Sequence, residues 1–243
     1  MKGFSDHYKD YSIMSENNEV LSIDSAAVVE SSLVAFGAGM SLQSRNDAKN
    51  AYLFATLATN KLFDPTTQGE AWFNQFLKVM QDCGWVTAHR TYEKETTSGQ
   101  SIKLSNVVVK AVQAAAAAAV PGAPAVAVLG DLARKAIGGL PESDQAFSLF
   151  KRNVNQKTAA VVGVASCIET ADGEVVMALG AIQRRACAHD VDVLFFDWDS
   201  ASSETYKGTA ALSFNKVIYD RLRSRIEQQL GDRALSKILD YEI

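Results

Sequence analysis

The residues best placed to do chemistry sit between positions 184 and 199. Cys187 lies in Arg184-Arg185-Ala186-Cys187-Ala188-His189. Neighbouring guanidinium groups favour a thiolate, so this thiol is a candidate nucleophile and a candidate acceptor for a thioester-linked fatty chain. Such a chain adds membrane affinity through its buried methylenes. Cys167 stands in the apolar run Val161–Ile168, where a thiol ordinarily packs as a small hydrophobe, and it is the second candidate for acylation; Cys83 is a distant third. Asp190, Asp192, Asp197 and Asp199 crowd one region, but Asp197 has the opposite strand parity to Asp190 and Asp192, so the four do not converge on a cation. His7, His89 and His189 are scattered, and with three cysteines their spacing is not that of a zinc site. No G-x-S-x-G elbow, H-E-x-x-H pair, phosphate-binding loop or dinucleotide fingerprint is present. The sequence therefore offers no catalytic residue, no metal site and no cofactor other than a covalent fatty acid.

The elements that must position these groups are strands. Residues 158–168 form a β-type run, Asp172-Gly173 is a turn, and residues 175–182 are apolar again. Both parities of each run are apolar: Val161, Gly163, Ala165 and Cys167 on one, Ala160, Val162, Val164 and Ile168 on the other. A strand with one wet face would alternate, so both faces of this sheet are covered. A tight hairpin requires antiparallel neighbours. The expected class is thus α/β of the α+β type, a central antiparallel sheet with helical hairpins packed on both faces.

Along the chain, residues 1–45 read as an N-terminal extension packed on a single domain spanning 1–243, with a short helix or buried crossing at 26–40. Helical stripes at 50–63 and 72–80 give a first hairpin over 50–82, followed by an outer strand from Trp85 to Glu93. Ser105 is placed to cap the next helix. The hairpin over 105–139 is unusual, because from Val107 to Gly130 only Lys110 and Gln113 are polar, and Ala114 to Ala119 are six consecutive alanines. Pro121-Gly122-Ala123-Pro124 divides it, and a third helix runs through Phe147 and Phe150. The central antiparallel strands occupy 157–212, including runs at Val191–Trp198 and Tyr206–Leu212. C-terminal helices fill 213–239, with Phe214, Ile218, Leu222, Ile226 and Leu230 recurring every four residues and an interruption at Gly231.

Two readings suit the alanine-rich hairpin. Small helix formers let helices lie very close to a sheet, as an interior layer. The same helices satisfy their own backbone groups and can enter lipid. At about 14 residues each they fall short of the roughly 20 needed to span, so interfacial insertion is the expected mode. The candidate lipid contacts are Val107, Val108, Val120, Val126, Val128 and Leu129. With 24 basic and 28 acidic residues the formal charge is -4, which argues against bulk nucleic-acid binding. The polar start lacks an apolar core for Sec export, so a non-Sec route, or a cytoplasmic stay until release, is expected.

The region 161–226 resembles the cytolytic (Cyt-type) δ-endotoxins. The resemblance rests on the first strand, the acidic-glycine turn Ala171–Glu174, the strand VVMALGAIQ, the run VDVLFF at Val191–Phe196, and the Tyr206 strand leading into the final helix. It implies helical hairpins around a central antiparallel sheet, non-enzymatic membrane binding and permeabilisation, and homo-oligomers on membranes. In size, class and layout the chain also resembles the Erwinia virulence factor type, in which one cysteine carries palmitate. That resemblance implies acylation of Cys187 or Cys167 in a non-lytic protein. A soluble scaffold or interaction protein and an uncatalogued enzyme are the remaining alternatives.

Overall fold

Small and β-branched residues build the first hairpin in the chain. In the computed structural model, which describes residues 24–95, 102–119, 123–138, 150, 155–156, 159–185, 197–198 and 204–239, β1 (Ser25–Val29) pairs antiparallel with β2 (Ser32–Phe36). Then come α1 (Leu42–Asn60), α2 (Gly69–Asp82), β3 (Trp85–Lys94), β4 (Ile102–Lys103), α3 (Leu104–Ala119) and α4 (Ala123–Gly138). The chain continues through β5 (Asn155–Gln156), β6 (Ala159–Glu169), β7 (Val175–Arg185), β8 (Asp197–Trp198), β9 (Glu204–Phe214) and α5 (Lys216–Leu239).

Six strands form the central sheet in the order β1-β2-β6-β7-β9-β3, with the short β5 also paired to β6. The β6–β7 hairpin turns at Gly173, whose φ of 79° is open to glycine at no steric cost. β9 pairs with β7 and β3 closes the far edge, as its mixed pattern suggested.

The expected central sheet, mostly antiparallel with helices on both faces, is present. Several finer expectations are corrected. The sheet is mixed, because β2 runs parallel to β6, from Ser32 beside Gly163 to Phe36 beside Cys167. A parallel pair needs a long crossover, and the chain between β2 and β6 supplies one. The stretch 26–40 is a hairpin, not a helix or a crossing; its valines pack as strand residues once β6 offers a partner. α1 begins at Leu42, eight residues before Asn50, because its first turns bury polar Ser44, Arg45 and Asp47, which no apolar stripe reveals. α3 begins at Leu104, so Ser105 lies inside its first turn. α5 runs through Gly231 unbroken; an exposed glycine with nothing near it costs about 1 kcal/mol and does not end a helix held elsewhere. Its buried side is Tyr219 and Ile226, with Leu222 and Leu230 packed against them, while Ile218 is 46% exposed. A four-residue repeat drifts by about 40° per step on a 3.6-residue helix, so it cannot stay on one face. The third helix expected through Phe147, and the run Val191–Phe196, lie outside the described residues. Phe150 is buried, and β8 pairs with β4.

Two cores lie on opposite faces of the sheet. On one, α1, α2 and α5 enclose Val34, Ala165, Cys167, Met177, Leu179 and Leu212. On the other, α3 and α4 cover Leu33, Ala35, Val162, Val164, Ala178 and Ala211. Both parities of the central strands are apolar because each meets a helical layer.

Candidate functional site

The α3–α4 layer is built from small residues, and it sits unusually close to what it covers. A Cβ added to Gly180 of β7 would lie 2.8 Å from the Ala111 Cβ and 2.9 Å from the Val108 carbonyl oxygen. One added to Gly130 of α4 would lie 2.6 Å from the Gln113 side chain of α3. Glycine at 180 lets the backbones of β7 and α3 approach to distances that larger residues forbid, and glycine at 130 leaves room for the Gln113 side chain. Val107, Val108 and Leu129 are buried here, Val126 is half-buried and Val128 is 47% exposed; Val120 lies outside the described residues. The structure thus gathers three of the six expected lipid contacts into the core and turns Val128 outward. Ala114, Ala117, Ala118, Pro124 and Ala127 are exposed with it, and residues 111–130 include no charged side chain. A water-facing helical surface without charge is the anomaly of this fold. Among the described residues, no helix is long and apolar enough to cross a membrane.

The two helical layers are held differently. Tyr52 donates to Ser32 Oγ at 3.1 Å, and Arg45 Nη2 to the Gly37 carbonyl at 2.9 Å. Glu169 accepts from the Ser41 backbone N–H at 2.9 Å and from Lys216 at 2.6 Å, joining β6 to the starts of α1 and α5. Its burial raises its pKa, yet the Lys216 and Ser41 hydrogen bonds outweigh that and hold it below the usual carboxylate value. Arg223 of α5 grips Asp47 of α1 through two bonds of 2.8 and 2.7 Å. Rings interlock as well, with Tyr52 edge-on to Phe76 at 5.0 Å. On the opposite face, among the described residues, no side-chain hydrogen bond or ion pair joins α3 to the sheet. α4 has its internal Asp131–Arg134 pair and one outside tie, Lys135 to Asp24 at 2.7 Å. Among the described residues, one layer is therefore sewn to the sheet by several side-chain bonds, while the other rests on it mainly through apolar contact, with the Lys135–Asp24 pair at its margin.

A cleft of about 550 Å³ opens on the sewn side, at the start of α2. Gly69 meets Gln183 so closely that a Cβ would fall 1.9 Å from its Oε1. Gln183 is 4% exposed; its Oε1 accepts from the Tyr92 hydroxyl at 2.8 Å and its Nε2 donates to the Thr66 carbonyl at 2.6 Å. Tyr92 and Tyr206 stack beside it with centroids 5.9 Å apart. The sequence reading missed this cleft, although one sign was legible: Gln183 ends the row Val175, Met177, Leu179, Ala181, which is otherwise apolar.

The chain shows structural similarity to the Cyt-type δ-endotoxins and to the Evf virulence factor. A structure described as a delta-endotoxin is 14% identical with a TM-score of 0.48, covering 84% of this chain and 89% of its own. The activated Cyt2Ba monomer from Bacillus thuringiensis subsp. israelensis is 13% identical with a TM-score of 0.34, covering 72% of this chain and 92% of its own. The Evf virulence factor is 10% identical with a TM-score of 0.33, covering 91% of this chain and 85% of its own. No family model and no curated protein matches the chain. These likenesses concern the fold.

The thiols divide sharply. Cys167 is fully buried between the sheet and the sewn layer, and burial pushes its thiol far above the ordinary value. Burial also pushes Cys83 up to about 12. Neither environment favours a thiolate. Cys187 and His189 lie outside the described residues, as do Asp190, Asp192 and Asp199. His89 stands half-buried on β3. Among the described residues, no group of three or more histidine, cysteine or acidic side chains could hold a metal ion.

Proposed function

We propose that this protein binds membranes, without enzymatic chemistry, by lifting the α3–α4 layer from the sheet and laying it in the lipid interface. The observation that carries the reading is the charge-free outer face of residues 111–130 on a layer that, among the described residues, no side-chain polar bond from α3 secures. Each helix has 16 residues, short of the roughly 20 that span a bilayer, so the layer lies in the interface rather than across it. Val107, Val108 and Leu129 then exchange the sheet for lipid, while Ala114, Ala118 and Val128 lose an exposure to water. Alanine contributes little transfer energy, so insertion is shallow and reversible. A toxin or virulence role, with permeabilisation by membrane-bound homo-oligomers after release from the cell, is the setting we propose for this step.

The test is a reversible lock. Ala111→Cys with Gly180→Cys places two Cβ positions 2.8 Å apart, which must separate by about 1 Å to reach disulfide geometry. Oxidised protein is expected to lose flotation with phosphatidylcholine–phosphatidylglycerol vesicles and release of their dye, and reduction is expected to restore both. Equal vesicle binding in the locked and reduced forms would overturn the reading. Intact mass on the same samples settles the S-acylated, non-lytic alternative: a fatty acyl increment lost on Cys187→Ser would select it.

A further inference from the structure

The cleft at the start of α2 has a chemistry unrelated to the α3–α4 layer. Its floor is a buried carboxamide. Gln183 can donate two hydrogen bonds and accept two. It uses one of each, through Thr66 and Tyr92. Gln183 lines the cavity, so a donor and an acceptor on one rigid group remain to be met there. Leaving a buried polar group half-satisfied costs free energy unless water or a ligand completes it. Gly69 enlarges the effect, because any side chain at that position would occupy the space against Gln183.

The walls narrow the class of ligand. Among the described residues the lining includes no lysine, arginine or histidine, and Glu70 adds a carboxylate. That set does not attract a phosphate or a carboxylate. An acyl chain is equally excluded, since Gln183, Asn74 and Glu70 would be stripped of water with nothing in return. What remains is a neutral, hydroxyl-rich molecule with an apolar face. Adjacent hydroxyls on a sugar ring donate and accept side by side, which planar amides and carboxylates match in pairs. The C–H face of such a ring packs on aromatic surface, and Tyr92 and Tyr206, stacked on each other at 11° between planes, both line the cleft. The volume, about 550 Å³, lies in the range of small-molecule clefts.

We propose that this cleft binds a neutral sugar ring, either free or as the headgroup of a glycolipid. The site lies on the opposite side of the sheet from α3 and α4, so it does not depend on their release. The experiment is saturation-transfer NMR on the full chain with glucose, galactose, N-acetylglucosamine and lactose, and with inorganic phosphate as the anionic probe. At least one neutral sugar is expected to bind in the millimolar range. Glu70→Ala with Asn74→Ala, both exposed and tolerable to the fold, is expected to weaken it about tenfold with an unchanged circular dichroism melt. No transfer to any sugar, transfer indifferent to the double substitution, or displacement by phosphate would each overturn the proposal. Flotation of the locked disulfide form with phosphatidylcholine vesicles containing galactosylceramide separates the sources. Capture identifies a headgroup, and binding confined to dissolved sugar identifies a free glycan. Because the lock silences α3–α4, loss of dye release leaves this result untouched.

Discussion

Replacing Gly180 by alanine puts a methyl group where α3 rests. Its Cβ would stand 2.8 Å from the Ala111 Cβ, 2.9 Å from the Val108 oxygen and 3.1 Å from the Val112 nitrogen. Carbon atoms settle at about 3.5–4.0 Å, so α3 must rise by roughly 1 Å. Overpacking of this kind costs about 1–3 kcal/mol. Removing a glycine from a strand returns about 0.5–1 kcal/mol. At the middle of these ranges overpacking wins, leaving a net loss of about 1 kcal/mol and a Tm lower by about 2–4 °C for a chain of this size. If the loss falls on the α3–α4 contact, the lifted population rises about 5-fold. Urea denaturation and vesicle flotation are to be measured together. The control is Gly208→Ala, whose Cβ would stand 3.0 Å from the Phe73 ring on the sewn face. It is expected to destabilise without raising the lipid-bound fraction. An equal rise in both variants, or no rise with Gly180→Ala despite a lowered Tm, would refute the asymmetry between the layers.

Three further outcomes follow from the same contacts. Arg223→Ala strands the Asp47 carboxylate, 3% exposed, without its partner; a loss of about 3 kcal/mol is expected by chemical denaturation, with much less for the uncharged pair Asp47→Asn, Arg223→Met. Glu169 has a folded pKa held below its usual value, so its contribution is full above that usual value and disappears as pH falls through the folded one. Glu169→Gln is therefore expected to lower stability at pH 7 and to flatten the acid limb of a stability–pH profile. In a Cys187→Ala background, a maleimide is expected to label Cys83 and Cys167 only at the unfolding rate, because burial holds both thiols protonated and covered; fast native labelling would contradict their placement.

Periodicity made the double-covered sheet legible, since Val162 and Val164 on one parity and Ala165 and Cys167 on the other had to meet separate cores. The Asp172-Gly173 turn was equally readable, being a local event, whereas the last strand runs two residues past the expected Leu212 and takes Phe214 from the expected helix, because Phe214 pairs with Trp85 of β3. The start of α1 was not readable, because Arg45 and Asp47 are polar residues buried through partners outside the helix: the Gly37 carbonyl in the preceding turn for one, Arg223 far along the chain for the other. The cleft was hidden for the same reason, as Gly69, Tyr92, Gln183 and Tyr206 belong to four elements.

Local composition by itself determined which segments are strands or helices in the middle of the chain, and that the stretch 111–130 within the helix pair carries no charged side chain. Only the tertiary structure decided that β2 joins β6 in parallel, and that one helical layer is bonded to the sheet while the other lies against it. It alone decided that Gln183 closes a cleft. The division has a physical cause: propensity and hydrophobic period act between neighbours in the chain, whereas strand order and polar partnership are set by groups more than 100 residues apart, such as Ser41 with Glu169 and Thr66 with Gln183.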